Sequence, residues 1–341
     1  LSNRITFAAL NGDSSEVVLQ WDSKATGNWN LRLDNAGFIT FKNITFRQLY
    51  DEAKHNVLLL NCHNLSFENC TFEGSEMIGD GNLLSGTIDS NLTVSNCTFS
   101  YARKGIEISG TEKNAAKNVS LVANSITTQT IGVKLVETQN VSVSNNVIHN
   151  LTGTRHTGLL LRNVHTFQVS ENNIKTNAQN GHSRALYLQN VTADTSNAGL
   201  VINNVLNITA LGGADVSALK CFALENTLIA NNTFNLFSDH GQHSVIGFDP
   251  NDSLMSNSTF YNNIVANQGA GFAAKNFDFS SSQLRSEYNL WYAHSGKLSS
   301  SFNSLSNLQS LGKELSSYFA SPQFTAADSL LAQCSEMDSN A

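Results

Sequence analysis

Apolar and polar residues alternate over short stretches throughout the chain, as in Leu92-Thr93-Val94 and Val141-Ser142-Val143. Alternation with a period of two is the strand signature, and no long stretch keeps a helical period of 3.6. Each alternating stretch runs into a polar corner, a large apolar residue, a loop of variable length and a second short strand. These second strands read "GIEIS", "GVKLV", "GLLLR", "ALYLQ", "CFALEN" and "SVIGFD".

The plan repeats. Segments "FKNITF", "FENCTF", "VSNCTF", "LVANSI", "VSNNVI", "SENNIK", "VINNVL", "ANNTF", "YNNIV" and "EYNLW" align on one column. That column holds Ile44, Cys70, Cys97, Asn124, Asn146, Asn172, Asn204, Asn232, Asn263 and Asn289, at intervals of 22 to 32 residues. Two positions further on lies Phe46, Phe72, Phe99, Ile126, Ile148, Ile174, Leu206, Phe234, Val265 and Trp291. Self-similarity at this period marks a solenoid. One coil cannot bury its apolar face alone; stacking the next coil about 4.8 Å above it pairs every strand with its copy and closes a continuous core. A buried amide is ordinarily costly. In a stack, each corner asparagine gains a partner of its own kind above and below. The expected fold is therefore all-β: a parallel β-helix of about ten coils over residues 38–292, with an N-terminal segment 1–37 and an irregular C-terminal cap 293–341. Trp21 and Trp29 are expected to cover the open N-terminal end.

Composition narrows the partners. The 341 residues carry 20 Lys and Arg against 27 Asp and Glu, a net charge of −7. There is no basic block, so the footprint of a nucleic-acid binder is missing. No apolar run approaches the ~18 residues that span a bilayer. The start at Leu1, without initiator Met or signal peptide, reads as a mature or trimmed segment. Five cysteines without CxxC spacing indicate neither a zinc site nor a disulfide framework. Cys70 and Cys97, in one column a coil apart, are expected as stacked buried thiols. Sequons such as those at Asn69, Asn96 and Asn118 follow from the repeat plan, and several of these asparagines are expected to point inward.

The coil segments resemble the right-handed parallel β-helix superfamily that includes pectate lyases and polygalacturonases. The opening "NRITFAALNGDSSEVVLQWDSKATGNWNLRLDNAGFITFKNITFRQL" resembles the first coil of large secreted β-helix proteins of Bacteroidota-type bacteria. The closing "YFASPQFTAADSLLAQCSEMDS" is similar to the irregular segment that caps many such solenoids. The resemblance implies a right-handed winding, an extracellular or cell-surface setting, and substrate grooves along one sheet.

Lyases of that superfamily need a cation to neutralise a uronate and a base for the C5 proton, and hydrolases need paired carboxylates. Aligning the second strands gives an outward row of Glu107, Lys134, Leu160 and Tyr187, with Ile106, Val133, Leu159 and Leu186 inward. This row is too mixed for a calcium-binding acidic cluster, so calcium has no support and no cofactor is expected; Glu107 and Lys134 read as a cross-coil ion pair. A second set gathers around these strands: Arg155, His156, His182, Arg184, Lys220, Asp239, His240 and His243, with Asp249 beyond. It reads either as solvated loops or as a groove about 15 Å long. In the groove, His182, His240 and His243 are the acid–base candidates, with Tyr187 assisting. Arg184 would pair with a carboxylate, and Arg155, His156, Lys220, Asp239 and His240 would contact substrate. A metal site from the histidines and Asp239 lacks any ligand spacing. Two functions stay open: a structural, adhesin-type or glycan-binding surface module with an extracellular polysaccharide or cell-surface ligand as partner, and a polysaccharide lyase on a uronate glycan.

Overall fold

The computed structural model describes residues 3–21, 28–49, 55–75, 81–110, 114–153, 155–178, 181–212, 215–248, 255–276, 284–299, 302–310 and 312–322. Among these, 28 strands and one short helix, Leu305–Ser310, make up the regular structure. All strand ladders are parallel and join coil to coil, so the chain is a β-solenoid. Each coil contributes to three faces. Sheet A follows the ladder asparagine, as in Val147–Gly153; sheet B holds the second strands, as in the first half of His156–Ser170; sheet C precedes the next corner, as in Gly199–Ile202.

The register confirms the columns. In sheet A, Ile126 pairs with Ile148, Ile148 with Ile174, Ile174 with Leu206, and Leu206 with Phe234. All five are fully buried. At the N-terminal end the same column stacks rings: Phe46 and Phe72 lie 5.0 Å apart, Phe72 and Phe99 4.4 Å at 3°. Each buried phenylalanine contributes about 2–3 kcal/mol relative to exposure.

Each corner needs two different residues. Asn43, Asn69, Asn96, Asn145, Asn203, Asn231 and Asn262 have φ between 51° and 57°. This left-handed region suits Asn far better than branched or bulky side chains. The residue after it is the buried ladder member. The first asparagine of "Asn-Asn" thus turns the backbone, and the second fills the corner. Among the sequon asparagines, Asn69, Asn96 and Asn118 take the turning conformation and are exposed, whereas Asn43 and Asn150 are buried, so only some of them face inward.

The buried ladder is continuous. Asn124, Asn146, Asn172, Asn204, Asn232 and Asn263 each donate Nδ2–H to Oδ1 of the next, at 2.9–3.2 Å. Cys97 and Cys70 extend it toward the N-terminus as free buried thiols. The Cys70 N–H points to Cys97 Sγ at 3.3 Å, and the Cys97 N–H to Asn124 Oδ1 at 2.9 Å. The corner after sheet B carries a second, exposed amide ladder, Asn64–Asn91–Asn118–Asn140, linked at 2.7–3.1 Å.

The bend into sheet B takes small residues. A Cβ on Gly132 would stand 2.4 Å from Ile148 Cγ2 and 2.6 Å from the Gly158 carbonyl oxygen. Across this bend, residues three apart both face outward, for example Lys104 and Glu107.

The two ends differ. In the opening strand, Ile5 and Phe7 lie in register with Ile39 and Phe41, yet are 56% and 49% exposed. Trp29 does not cover them: it pairs with His55 on the side of sheet B, with the Arg32 guanidinium 5.1 Å from its ring. Its sheet-B register carries it to the lateral face; the Trp21 side chain lies outside the described residues. At the C-terminal end, Leu305 and Leu308 of the helix are buried, and Tyr318–Phe319 adds in register to Leu290–Ala293. Ser317 accepts the Asn289 N–H at 2.8 Å, and the buried Glu314 carboxylate receives Ser286 and Ser317 hydroxyls. The ladder therefore ends on a carboxyl group. Burial pushes the Glu314 pKa up, against these hydrogen bonds.

Candidate functional site on the outer face of sheet B

The outward row of sheet B is straight. Glu107 pairs with Lys134, Lys134 with Leu160, Leu160 with Tyr187, and Tyr187 with Lys220. A second row, three residues earlier, holds Lys104, Ile131, Thr157, Arg184 and Ser217. Charge collects at two places along these rows.

In the first, Glu107 accepts hydrogen bonds from Lys134 at 2.6 Å, Lys104 at 2.8 Å and Asn82 at 3.0 Å. Burial works to raise the Glu107 pKa, but the two lysines together hold it below the ordinary range. The expected cross-coil ion pair is thus present and carries a second cation.

In the second, Asp215 is the centre. Arg184 Nη2 stands 2.7 Å from its Oδ2, Lys220 Nζ 3.5 Å and His182 Nδ1 4.0 Å. The Arg184 guanidinium lies over the Tyr187 ring, 4.5 Å from its centroid, a cation–π geometry. Burial would raise the Asp215 pKa; Arg184 and Lys220, with His182, pull it below the usual carboxylate range. The Lys220 side chain is only 12% exposed, so this is a formed cluster and not a set of free surface charges.

Four of the sequence-derived residues therefore come together: His182, Arg184, Tyr187 and Lys220. The others do not join them. His156 is 1% exposed, in register with the buried Ser183. His243 is also 1% exposed, with Nδ1 2.5 Å from Ser238 Oγ. Both turn into the coil, because the position entering sheet B faces the core even where it follows a polar loop. Asp239 and His240 are exposed on the loop that precedes Ser244–Phe248; Asp239 accepts the Gly212 N–H at 3.0 Å. Arg155 is exposed one residue before His156. Asp249 lies outside the described residues. The polar cluster spans two coils, where a groove over four was expected.

Sequence reasoning missed Asp215. It sits 31 residues from Arg184, one coil, and its strand pairs it with His182. That register was readable by extending the alignment of "ALYLQ" and "ALKCF" backwards by three residues.

The arrangement presents cations, an aromatic ring and the half-buried Ile131 on one lateral surface; Leu160, in the outward row, is buried beneath its neighbours. Among the described residues no three His, Cys, Asp or Glu side chains gather as metal ligands, and no helix is long and apolar enough to cross a membrane.

Residues 29–191 match a family model described as a right handed beta helix region. No curated protein and no solved structure matches the chain significantly. Residues 29–191 are thus a right-handed parallel β-helix region, and the coils that follow continue the same winding and ladder.

Proposed function

We propose that the chain is a β-helix module of an extracellular or cell-surface protein that binds an anionic, uronate-bearing glycan along sheet B without cleaving it. One observation carries the reading: two clusters on one straight row each hold two permanent cations against a single carboxylate. Their lysines, Lys134 and Lys220, stand three coils apart, about 14 Å. Each cluster has an excess of one positive charge, on a chain whose net charge is −7. The buried Leu160 and the half-buried Tyr187 lie between them in the row. A linear polyanion laid along the coil axis would meet cation, aromatic ring and cation in turn. The partly buried cations are already oriented, so little side-chain entropy is lost on binding. The extracellular setting is supported by the resemblance of the opening segment.

His182, beside Asp215, favours the alternative of a uronate lyase. There, Arg184 or Lys220 would neutralise the carboxylate and His182 or Tyr187 would take the C5 proton. The C4–O bond would break, a C4–C5 double bond would form, and the departing oxygen would be protonated. That reading is the weaker one, because His243, a second acid–base candidate, is buried against Ser238 and cannot serve.

Isothermal titration with polygalacturonate, alginate and hyaluronan tests both. Saturable binding to at least one polymer, lost in the Arg184→Ala/Lys220→Ala double variant and without ultraviolet absorbance from an unsaturated product, is the expected result. No binding to any of the three overturns the proposal. Absorbance that grows with time and disappears in His182→Ala replaces it with the lyase.

A further inference from the structure

A second groove runs along a different edge of the solenoid, over the last buried asparagines. It encloses about 370 Å³. Its floor is the ladder from Asn232 to Asn289. One wall is the turning column Asn231, Asn262, Tyr288; the other is the outward column of sheet A, which ends in Leu290 and Tyr318. Every described residue lining it is uncharged.

Two features separate this stretch from the same edge elsewhere. First, the turning column, asparagine in most coils, becomes tyrosine at Tyr288, with φ 58°. A bulky residue in this region is strained, and such strain persists where something else requires it. Tyr288 is nevertheless 49% exposed, with the Tyr261 ring 4.9 Å away as a brace. Second, Tyr318, one coil after Leu290, is 61% exposed at the end of the opposite wall. Two exposed tyrosines thus close the end of a groove whose rim carries exposed amides, with Asn262 Nδ2 donating to Asn231 Oδ1 at 2.6 Å.

We infer that this groove is a binding site for an uncharged oligosaccharide. The absence of charge among its lining residues disfavours ions. Tyrosine rings beside Leu290 and Ile264 offer apolar faces to the C–H side of a pyranose, and their hydroxyls remain available to water or ligand. The amides of Asn231 and Asn262 can both donate to and accept from sugar hydroxyls. This site shares no residue with the sheet B clusters and does not depend on them.

Titration of the full chain with cellohexaose, mannohexaose, xylohexaose and maltohexaose tests the inference. At least one is expected to bind saturably. Tyr288→Asn restores the residue that Asn231 and Asn262 already place in this column, so the fold is retained. It is expected to weaken binding about tenfold or more while the melting temperature holds or rises; Tyr318→Ser is expected to do likewise. The Arg184→Ala/Lys220→Ala variant is expected to bind as the parent does. No binding to any of the four sugars, or equal binding by the parent, Tyr288→Asn and Tyr318→Ser, overturns the site. Loss in the double variant alone also overturns it.

Discussion

Asn146 gives both its side-chain amide and its backbone N–H to a single oxygen, Oδ1 of Asn172, at 2.9 and 3.0 Å. The same pair of bonds recurs at each step of the ladder. It makes every asparagine the acceptor for the corner below and a donor to the corner above. Removing one member therefore harms two coils.

Asn172→Ala strands the Asn146 backbone N–H, while Asn146 Nδ2 keeps the Leu121 and Ser144 carbonyls, and it uncovers the Val143 and Ser170 carbonyls that Asn172 Nδ2 serves. With about 1–3 kcal/mol for each buried group left unpaired, a loss of about 3 kcal/mol or more is expected in urea unfolding. Asn172→Cys should lose clearly less, because Cys97 already accepts one backbone N–H and donates to the Ser95 carbonyl at 3.3 Å. Equal losses for Ala and Cys would show that the thiols are only space fillers.

Ala123 holds φ 55° in the turning column, between Asn96 and Asn145. A left-handed conformation costs an ordinary residue about 1–2 kcal/mol, and asparagine relieves part of that. Ala123→Asn should therefore raise stability by about 0.5–1 kcal/mol, read as a higher thermal midpoint. A lower midpoint would mean that the corner is held by something other than backbone preference.

How much of this was legible beforehand differs by layer. The ladder and aromatic columns were readable because stacking repeats one residue type in one environment. The role of the first asparagine at each corner was not, since nothing in "Asn-Asn" says that it takes the left-handed turn; Asn69 and Asn96 are exposed for that reason, while Asn43 and Asn150, also in sequons, are buried. His156 and His243 were misplaced for a related reason: a polar residue after a loop resembles a surface residue unless the bend into sheet B is known. Asp215 was not legible in the outward row because it is the first residue of its strand, one coil after His182, where Arg184 and Lys220 converge.

Glu314 should make the C-terminal cap pH-dependent. Its pKa is raised by burial, so the folded cap favours the proton. The stabilisation is complete below the ordinary glutamate range, and is lost as pH rises through the raised value. Hydrogen exchange at Tyr318 and Ala320, whose N–H groups bond Asn289 and Trp291, should speed up beyond the intrinsic rate as pH rises above the ordinary glutamate range. Glu314→Gln should abolish that excess. An unchanged excess in the glutamine variant would assign it to another group.

Asp215→Asn removes the one carboxylate that Arg184 and Lys220 share. If sheet B recruits a polyanion, this variant should bind polygalacturonate, alginate or hyaluronan more tightly than the parent at low salt, with a steeper loss of affinity as salt rises. Weaker binding would mean that Asp215 holds the cations in their working positions. In the parent, the stabilisation that Asp215 contributes is present above the ordinary aspartate pKa. It is lost as pH falls through the depressed value.

The central claim is that equivalent residues rise one above another along a single axis. Thr93, Ser120, Ser142, Gln168, Leu200, Leu228 and Thr259 occupy one outward column of sheet C in unbroken register. Spin labels at Thr93 paired with Leu200, and at Thr93 paired with Thr259, read that spacing by double electron–electron resonance. The stacked coils predict separations of about 19 Å and about 29 Å, growing by about 4.8 Å per coil. Two separations that do not increase with the number of coils between the labels would contradict the solenoid.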